Sequence, residues 1–281
     1  MEWFEPRRLA YPWRRPHPDP YAVLVSEFML QQTQASRVAP SFERFMRSFP
    51  TVDALASAPA AEVVRAWAGL GYNRRSVALW EAAGTIVSRH GGRVPHDPSA
   101  LSELPGVGPY TAAAVASIGY RRPVPALDTN VRRVLARAAL GVEPDDVAPA
   151  ALRAAAGNEL DRMDPGGWNQ ALMDLGREVC RPAPRCEACP LARQCRFAGK
   201  AAGRSRPRRR QPPFRGSFRE LRGRVVEAVR AGPTSIGAVS RLTGRTPVEV
   251  GRAVAALEAD GLVAASRGAG GGHPDGRVRL R

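Results

Sequence analysis

Lysine is almost absent from this sequence of 281 residues, and its scarcity limits the reactions that the protein could catalyse through a lysine side chain. The 42 basic residues include one lysine, Lys200, and only 26 residues are acidic, so the formal net charge is +16. A reaction that depends on a lysine nucleophile therefore has a single candidate. The excess of arginine indicates a polyanionic partner, with nucleic acid as the first candidate.

Long apolar runs are also missing. No stretch of about 18 apolar residues occurs, which excludes a membrane-spanning helix. The first residues contain no basic segment followed by an apolar one, so we expect a cytoplasmic protein, associated with the nucleoid if its source is bacterial. A composition of 44% hydrophobic and 24% charged residues is that of an ordinary globular protein with one or two domains.

Cysteine is scarce, but its four copies fall in one short window with the spacing C-x5-C-x2-C-x5-C. In a chain that we expect to remain in the cytoplasm, such a cluster indicates a metal or iron–sulfur site rather than disulfides. Four thiolates suit zinc or a [4Fe–4S] cluster, and the spacing alone leaves both open. The candidate ligands are Cys180, Cys186, Cys189 and Cys195.

The first two thirds of the chain are predicted to be all-α. Residues 1–20 form a proline-rich arm, and from Tyr21 the apolar residues recur with helical spacing. No stretch before residue 200 shows the alternation of a strand. After the first helices, further helices are predicted at roughly 53–67, 74–89, 98–103, 109–120, 129–140, 149–162 and 167–179.

A basic linker and a second domain follow. Residues 199–216 contain seven cations, three prolines and no acid, which predicts an extended linker that contacts phosphate. Residues 217–281 show three helix starts, the first and third being capping boxes at Ser217 and Thr246, and then two apolar pairs around a glycine-rich loop. This order predicts a small winged-helix-like α+β domain with helix 247–260 in the recognition position, for DNA or for a protein partner.

The segment LPGVGPYT at 104–111 joins two predicted helices through closely spaced glycines. Glycine lets the backbone turn tightly and approach another molecule. The second helix begins at Pro109, where free N–H groups and the helix dipole favour a phosphate. The segment thus resembles a helix-hairpin-helix that holds the DNA backbone without reading its sequence, with Gly106, Gly108 and Thr111 as candidate contacts.

Three motifs in order resemble the helix-hairpin-helix DNA glycosylases that carry a [4Fe–4S] cluster: the hairpin, the segment LDTNVRRVLAR at 127–137 and the cysteine loop. The segments SEFMLQQTQ at 26–34 and GLGY at 69–72 are similar to the adenine glycosylase branch, the MutY family. The resemblance covers about residues 10–198. It implies a glycosylase domain over 1–198, with a six-helix subdomain at about 21–127 and an iron–sulfur subdomain built from 1–20 and 128–198.

The resemblance implies a role for each of four residues. Glu27 would be the general acid that protonates adenine N7, and its apolar neighbours would raise its pKa. Asp128 would be the ionised carboxylate that stabilises the sugar cation, since N–H groups at a helix start favour the charged form. Asn130 would orient water or this carboxylate, and Tyr110 would support the sugar cation.

The resemblance also implies contacts with double-stranded DNA that contains a mispair. Tyr72 matches a family residue that wedges beside the damaged base, and Gln31 one that fills space near the extruded nucleotide. Arg14 is a candidate contact to the flipped adenine. Arg132 and Arg133 are interpreted as phosphate or surface contacts. We expect a monomer with no membrane association.

Some positions depart from the family pattern. Relatives that cut the DNA strand carry a lysine where this hairpin has Tyr110, so we expect a monofunctional glycosylase. The first cysteine spacer is five residues instead of six, and we still favour [4Fe–4S] over zinc. Asn73 replaces a second tyrosine, and Thr129 stands where glycine is frequent. The segment 217–281 stands where the family has a Nudix-like domain that recognises 8-oxoguanine, which leaves recognition of that lesion open.

Three functions are consistent with these observations. The first is removal of adenine mispaired with 8-oxoguanine or guanine. The second is removal of thymine or uracil opposite guanine, or of hypoxanthine. Glu27 disfavours a pyrimidine substrate, because protonation at N7 helps only purines to leave. The third is a DNA-binding winged-helix regulator with a redox-sensing cluster, in which Glu27 and Asp128 would have no catalytic role.

Overall fold

The computed structural model describes residues 2–8, 11–198 and 212–281. Of the predicted linker, 199–211 lies outside the described residues. Before this gap the described residues form helices and turns, as the sequence predicts. The helices are α1 Pro20–Leu30, α2 Ala35–Ser48, α3 Val52–Ser57, α4 Ala60–Ala66, α5 Arg74–His90, α6 Pro98–Ser102, α7 Pro109–Ala114, α8 Thr129–Leu135, α9 Pro149–Glu159 and α10 Pro165–Glu178.

Shorter helical turns extend or link these elements. α7 continues into a π-helical turn at Val115–Gly119, and α8 continues into another at Ala136–Leu140. Single 3₁₀ turns occur at Glu5–Arg7, Pro144–Asp146 and Cys186–Ala188.

The prediction of one helix over 53–67 is wrong, because proline interrupts it. α3 ends before Ala58, whose backbone is extended, and α4 begins after Pro59. Proline supplies no N–H for the helix ladder and disfavours helical geometry in the residue before it. Two short helices result where the apolar pattern alone indicated one.

The chain divides into two compact units, one of Met1–Glu27 with Val94–Arg209 and the other of Phe28–Arg93 with Arg210–Arg281. We call them the first and the second unit. They cut the chain differently from the domain boundaries predicted from the sequence, which stay a prediction.

In the first unit, a buried asparagine fixes the segment that leads into α8. The Asn169 side chain on α10 donates to Ser117 Oγ at 3.0 Å and to the Val124 carbonyl oxygen at 3.0 Å. Its Oδ1 accepts from the Ala126 N–H at 2.7 Å. Because buried amides are stable only when their hydrogen bonds are satisfied, Asn169 holds residues 124–126 in one place and thereby fixes where Asp128 begins α8.

The second unit combines α2–α5 with the C-terminal segment. That segment contains α11 Phe218–Arg230, α12 Ile236–Thr243, α13 Pro247–Ala259 and strands β1 Thr234–Ser235, β2 Val263–Ala265 and β3 Arg277–Leu280. The sheet is antiparallel in the order β1-β3-β2, with Thr234 opposite Val278 and Val263 opposite Leu280. Three helices and the β2–β3 hairpin thus occur where the sequence predicts them, and β1 adds a third strand that the sequence analysis does not predict.

Capping at the starts of α11 and α13 follows the predicted pattern in one case and changes it in the other. At α13, Thr246 and Glu249 form the reciprocal capping box. At α11, the Ser217 side chain accepts from the Glu220 N–H, but the Glu220 carboxylate accepts from the N–H of Gly216.

The C-terminal segment does not bury its core alone. Its apolar cluster includes residues from α11, α12, α13, β2 and β3, and it extends to Val64 on α4 and Val77 on α5, both almost fully buried. Burial of such side chains is the main favourable term in packing. The second unit therefore has a continuous apolar core from α4 and α5 into the C-terminal segment.

None of the helices in the described ranges is both long and apolar enough to span a membrane.

Candidate active site

The first unit brings together an acid from α1, an acid at the start of α8 and a tyrosine from the start of α7. Glu27, in the last turn of α1, is buried. The hydroxyl of Tyr110 forms a hydrogen bond with Glu27, and the charge of Asp128 acts on both of these residues. Three of the four residues with predicted catalytic roles are therefore close enough to influence each other's ionisation, and Asn130 is bonded to Asp128, as described below.

The pKa of Glu27 is raised to about 7, chiefly by burial and also by the nearby charge of Asp128. The hydrogen bond from Tyr110 and the positive charge of Arg14 lower it by less. Water solvates a carboxylate far better than an apolar interior does, so burial favours the protonated form. Glu27 is thus mainly protonated below about pH 7, and at pH 7 a large fraction of the molecules still carries a proton to donate.

Asp128 is the N-cap of α8. Its Oδ1 accepts from the N–H groups of Asn130 at 2.9 Å and Val131 at 2.6 Å, and its Oδ2 accepts from the Asn130 side chain at 3.0 Å. These bonds lower the pKa of Asp128, as the sequence predicts, but burial raises it more, so that the net pKa lies above the ordinary value. The three donors favour the ionised form and hold the carboxylate in one orientation.

Tyr110 is half-buried near Glu27, and its burial with the neighbouring carboxylates raises the phenol pKa well above its usual value. The hydroxyl therefore stays protonated and acts as a neutral donor. It also lies 3.7 Å from the Met173 sulfur. A neutral phenol can donate a hydrogen bond to a neighbouring acid without adding a charge to the site.

Arg14 is bound to a partner that the sequence analysis did not single out. Its guanidinium makes a bidentate ion pair with Asp174, with Nη1–Oδ2 at 2.6 Å and Nη2–Oδ1 at 2.9 Å, and both side chains are buried. Arg177 adds a second cation on the Asp174 carboxylate at 2.9 Å. The sequence does contain an indication of this ion pair, since Asp174 lies inside the apolar run Leu172–Leu175 of α10. A buried acid needs a partner.

Arg133, interpreted from the sequence as a phosphate or surface contact, is half-buried and makes several hydrogen bonds within the protein. Its guanidinium donates to Asn130 Oδ1 at 2.8 Å, to the Gly176 carbonyl oxygen at 2.7 Å and to the Cys180 carbonyl oxygen at 2.6 Å. It therefore connects α8, the end of α10 and the first cysteine. Asn130 orients Asp128 on one side and is itself oriented by Arg133 on the other.

The hairpin between α6 and α7 contains two glycines, and the backbone conformation favours glycine at only one of the two positions. Gly106 has φ +75°, a left-handed conformation that favours glycine. Gly108 has an ordinary extended backbone, and a Cβ there would meet no other atom within 4 Å. The fold alone therefore does not require glycine at 108. The Thr111 side chain is buried, which leaves it little surface for the predicted DNA contact.

The second unit holds the other two predicted DNA contacts. Tyr72 is 54% exposed and has the left-handed φ of +45°, which is rare for a side chain of its size. Gln31 is half-buried just after the end of α1. Both lie in segments held by a residue that the sequence analysis missed, Arg75. Its guanidinium donates to main-chain oxygens of Phe28, Met29 and Gln31 and of Leu70 and Gly71, at 2.5–3.4 Å.

The four cysteines lie around the loop after α10. Each of the other three cysteines interacts electrostatically with Cys189. The Arg137 guanidinium lies 3.9 Å from the Cys180 sulfur. Within the described residues, no group of three or more His, Cys, Asp or Glu side chains is positioned to hold a metal ion. The donor set itself, four thiols with arginines that stabilise thiolate charge, fits a [4Fe–4S] cluster or zinc.

Three comparisons with known proteins bear on this site. The HhH-GPD superfamily of base excision DNA repair proteins matches residues 25–152. The chain is 40% identical to an adenine DNA glycosylase of Mycolicibacterium smegmatis over 270 residues, which cover 94% of this chain and 90% of that protein. It is 41% identical to an adenine DNA glycosylase of Mycobacterium tuberculosis over 275 residues, 94% of this chain and 88% of that protein.

Among solved structures, a thermostable thymine-DNA glycosylase has a TM-score of 0.65 at 29% identity, over 71% of this chain and 93% of that chain. The matches with the two mycobacterial proteins extend further along this chain. A match over 94% of the chain necessarily includes most of residues 217–281. The C-terminal segment is therefore shared with those proteins.

Proposed function

This chain belongs to the adenine DNA glycosylases of the HhH-GPD superfamily, and from that premise we propose that it releases adenine from mispairs with 8-oxoguanine or guanine. Adenine DNA glycosylases act in base excision repair on DNA, by hydrolysing the N-glycosidic bond. The identity of the opposing base and the roles of individual residues belong to the proposal. We further propose that the protein acts as a cytoplasmic monomer on a single mispaired duplex.

The observation that carries the proposal is the pair of buried acids with different surroundings. Glu27, with a pKa of about 7, donates its proton to N7 of the extruded adenine, which makes the base a better leaving group. The C1′–N9 bond then breaks, and the bonding electrons leave with the neutral base. Asp128, oriented by three hydrogen bonds, stabilises the sugar cation through its negative charge.

Water completes the reaction. A water molecule bound near Asn130 adds its oxygen to C1′, and its proton passes to a carboxylate of the site, so that the products are adenine and an abasic sugar. Tyr110 occupies the hairpin position from which a lysine would attack C1′ in strand-cutting relatives. A phenol held neutral by burial is a poor nucleophile, and we therefore propose a monofunctional glycosylase.

Base extrusion is assigned to the second unit. Tyr72, exposed on a left-handed turn, wedges into the duplex, and Gln31 fills space near the extruded nucleotide. Gly108 leaves room for the DNA backbone at the start of α7, where no side chain caps the helix. Arg14, through its charge near Glu27, is a candidate contact to the flipped base.

We propose a [4Fe–4S] cluster at Cys180, Cys186, Cys189 and Cys195, with zinc as the alternative. When bound, the cluster would cross-link the loop after α10 through four thiolates. Arg133 and Arg137 already fix the main chain of this loop, at the carbonyl oxygens of Cys180 and Arg181. Iron and sulfide content with the visible absorption of the purified protein separates the cluster from zinc.

The thymine-DNA glycosylase with a similar fold supports a second candidate, removal of thymine or uracil opposite guanine. Protonation at N7 has no counterpart in a pyrimidine, so this activity would leave Glu27 without its proposed role. The two candidates predict different substrates for the same site.

The experiment that separates them is single-turnover base release on a panel of duplexes. Adenine is placed opposite 8-oxoguanine, guanine, cytosine and thymine, and thymine, uracil and hypoxanthine are placed opposite guanine. We expect the fastest release for adenine opposite 8-oxoguanine or guanine. Release of a pyrimidine or hypoxanthine with adenine left intact would overturn the proposal.

A further inference from the structure

Three exposed arginines lie on or beside the sheet of the C-terminal segment. Arg277 and Arg279 alternate along β3 with Val278 and Leu280, which are buried in the core of the second unit. Side chains two apart on a strand point to the same face, about 7 Å apart along it. The two guanidinium groups therefore share the outer face of the central strand of the sheet.

Arg267 lies at the other end of the glycine-rich loop from Arg277 and is also exposed. The Ser266 N–H donates to the Arg277 carbonyl oxygen at 2.9 Å, and the Arg277 N–H donates to Ser266 Oγ at 2.8 Å, so the two ends of the loop are fixed together. Within the described residues, none of the three guanidinium groups has an ion pair or hydrogen-bond partner. We call Arg267, Arg277 and Arg279 the loop arginines.

The glycine-rich loop covers the first half of α13. A Cβ on Gly272 would lie 2.6 Å from the Pro247 carbonyl oxygen and 2.8 Å from Val248 Cα. A Cβ on Gly251 would lie 2.5 Å from the Gly272 nitrogen. These glycines are needed because the loop backbone packs directly against the start of α13, which is the part of a recognition helix that reaches base edges in helix-turn-helix proteins.

The face of α13 that stays exposed is poor in groups that read DNA. Its charged residues are one cation, Arg252, and two anions, Glu249 and Glu258, and the rest of the face includes the apolar Val248 and Ala255. Base edges are read by arginine, asparagine, glutamine or similar side chains. The helix predicted as the recognition element thus offers a duplex little charge and few polar groups.

The segment is also fixed next to a residue of the extrusion site. Arg230 on α11 donates to Asn73 Oδ1 at 2.9 Å and to the Val64 carbonyl oxygen at 3.3 Å. Asn73 directly follows Tyr72, the proposed wedge. With the apolar core shared through Val64 and Val77, this contact makes the segment an integral part of the unit that carries Tyr72.

We propose that the loop arginines bind backbone phosphates of the substrate duplex, and that α13 does not enter a groove. Three exposed cations without partners among the described residues, two on the outer face of β3 and one at the start of the glycine-rich loop, complement a polyanion, and phosphate contacts position a protein on DNA without reading sequence. The proposal rests on DNA as the substrate and is independent of which base is released. Binding to an undamaged duplex therefore tests it separately from the panel of mispairs.

The test measures the affinity of the full-length protein for an undamaged 30-base-pair duplex as a function of salt concentration. Three proteins are compared with the wild type. The first carries R267Q, R277Q and R279Q. The second is a control with the same loss of charge, R47Q, R65Q and R89Q, at exposed arginines of α2, α4 and α5. The third carries R252Q on α13.

For the loop variant we expect weaker binding and a salt dependence whose logarithmic slope falls by about 2–3, since each lost phosphate contact removes about 0.9. We expect the matched control and R252Q to retain most of the wild-type slope. A loop variant with the slope of the matched control would overturn the proposal, and so would a larger effect of R252Q. Thermal unfolding of each variant identifies any loss caused by misfolding.

Discussion

At the scale of single residues, Asp128 has a structural and a chemical task that a substitution can separate. It caps α8 through the N–H groups of Asn130 and Val131, and we propose that its charge stabilises the sugar cation. Asparagine caps a helix about as well as aspartate but carries no charge. The D128N variant is therefore expected to fold and to bind DNA.

Its single-turnover rate of adenine release should fall by at least about 100-fold, the usual effect of losing an electrostatic contact to a transition state. The control is D97N, at the aspartate that caps α6 through the N–H groups of Ser99 and Ala100 outside the site. That variant should keep the wild-type rate. An equal loss in both variants would assign the effect of D128N to the helix cap.

Some residues of the site could be predicted from the sequence because they stand in recognisable motifs. Glu27, Asp128 and Tyr110 each stand in such a motif, and the structure places them within electrostatic reach of one another. Asp174 has no such motif, and its partner Arg14 is 160 positions away. Pairings over that distance depend on the tertiary fold, which a single sequence does not reveal.

At the scale of elements, the α6–α7 hairpin offers a test of its role in binding. G108A adds one methyl group at a position with ordinary backbone angles and no protein atom within 4 Å of it. We expect unchanged folding stability and a DNA affinity at least about tenfold weaker, because the methyl group occupies space that a phosphate would fill. Binding isotherms on a mispaired duplex and thermal unfolding measure the two effects.

The matched control is G157A inside α9, where a Cβ also meets nothing within 4 Å. Alanine in a helix interior is more favourable than glycine by about 0.5–1 kcal/mol. This variant should gain stability and keep its DNA affinity. A G108A protein that binds as tightly as G157A would remove the hairpin from the DNA interface.

Arg75 is predicted to hold the two segments that carry Gln31 and Tyr72. Lysine keeps the charge but loses the planar fork that reaches several carbonyl oxygens at once. R75K should lower the stability of the protein by about 1–3 kcal/mol and slow base release more than it weakens binding of undamaged DNA.

The control for R75K is R74K, at the neighbouring arginine, whose side chain is 78% exposed with only a long ion pair to Asp260. It should change stability by less than about 0.5 kcal/mol. If R75K and R74K behave alike in unfolding and in single-turnover release, Arg75 does not position these segments.

Several element boundaries were predictable from a capping residue. Thr246 with Glu249 defines the start of α13 in sequence and structure alike. The break at Pro59 was missed because the apolar spacing continues across it. The packing of the glycine-rich loop on α13 could not be predicted, since a glycine run in sequence does not show which backbone it approaches.

At the scale of the whole molecule, the buried Glu27 links folding stability to pH. Its pKa rises from 4.5 in the unfolded chain to about 7 in the folded one, so the folded state holds the proton more tightly. The resulting stabilisation is complete below about pH 4.5 and is lost as the pH rises through 7. A shift of this size corresponds to on the order of 3 kcal/mol.

The E27Q variant removes this titration and leaves the other groups unchanged. Urea unfolding of both proteins at pH 5, 6, 7 and 8 should show the wild type losing about 2.5 kcal/mol relative to E27Q across this range. A difference in the free energy of unfolding that stays constant with pH would mean that Glu27 has an ordinary pKa.

The organisation of the whole chain was only partly readable from sequence. The order of glycosylase motifs indicated the family, and the mycobacterial adenine DNA glycosylases support it over most of the chain. The sequence did not indicate that the C-terminal segment shares an apolar core with α4 and α5 through Val64 and Val77. In the sequence, each valine only continues the apolar spacing of its helix. That spacing does not show which part of the chain the apolar face packs against.

The central claim is that a protonated Glu27 releases adenine, and the pH dependence of single-turnover adenine release tests it most directly. With enzyme in excess over an adenine–8-oxoguanine duplex between pH 6 and 9, the rate should fall by about tenfold per pH unit above pH 7. E27Q should be slow and lack this decline. A wild-type rate that is flat or rises from pH 7 to 9, or an E27Q protein with the same decline, would contradict the account.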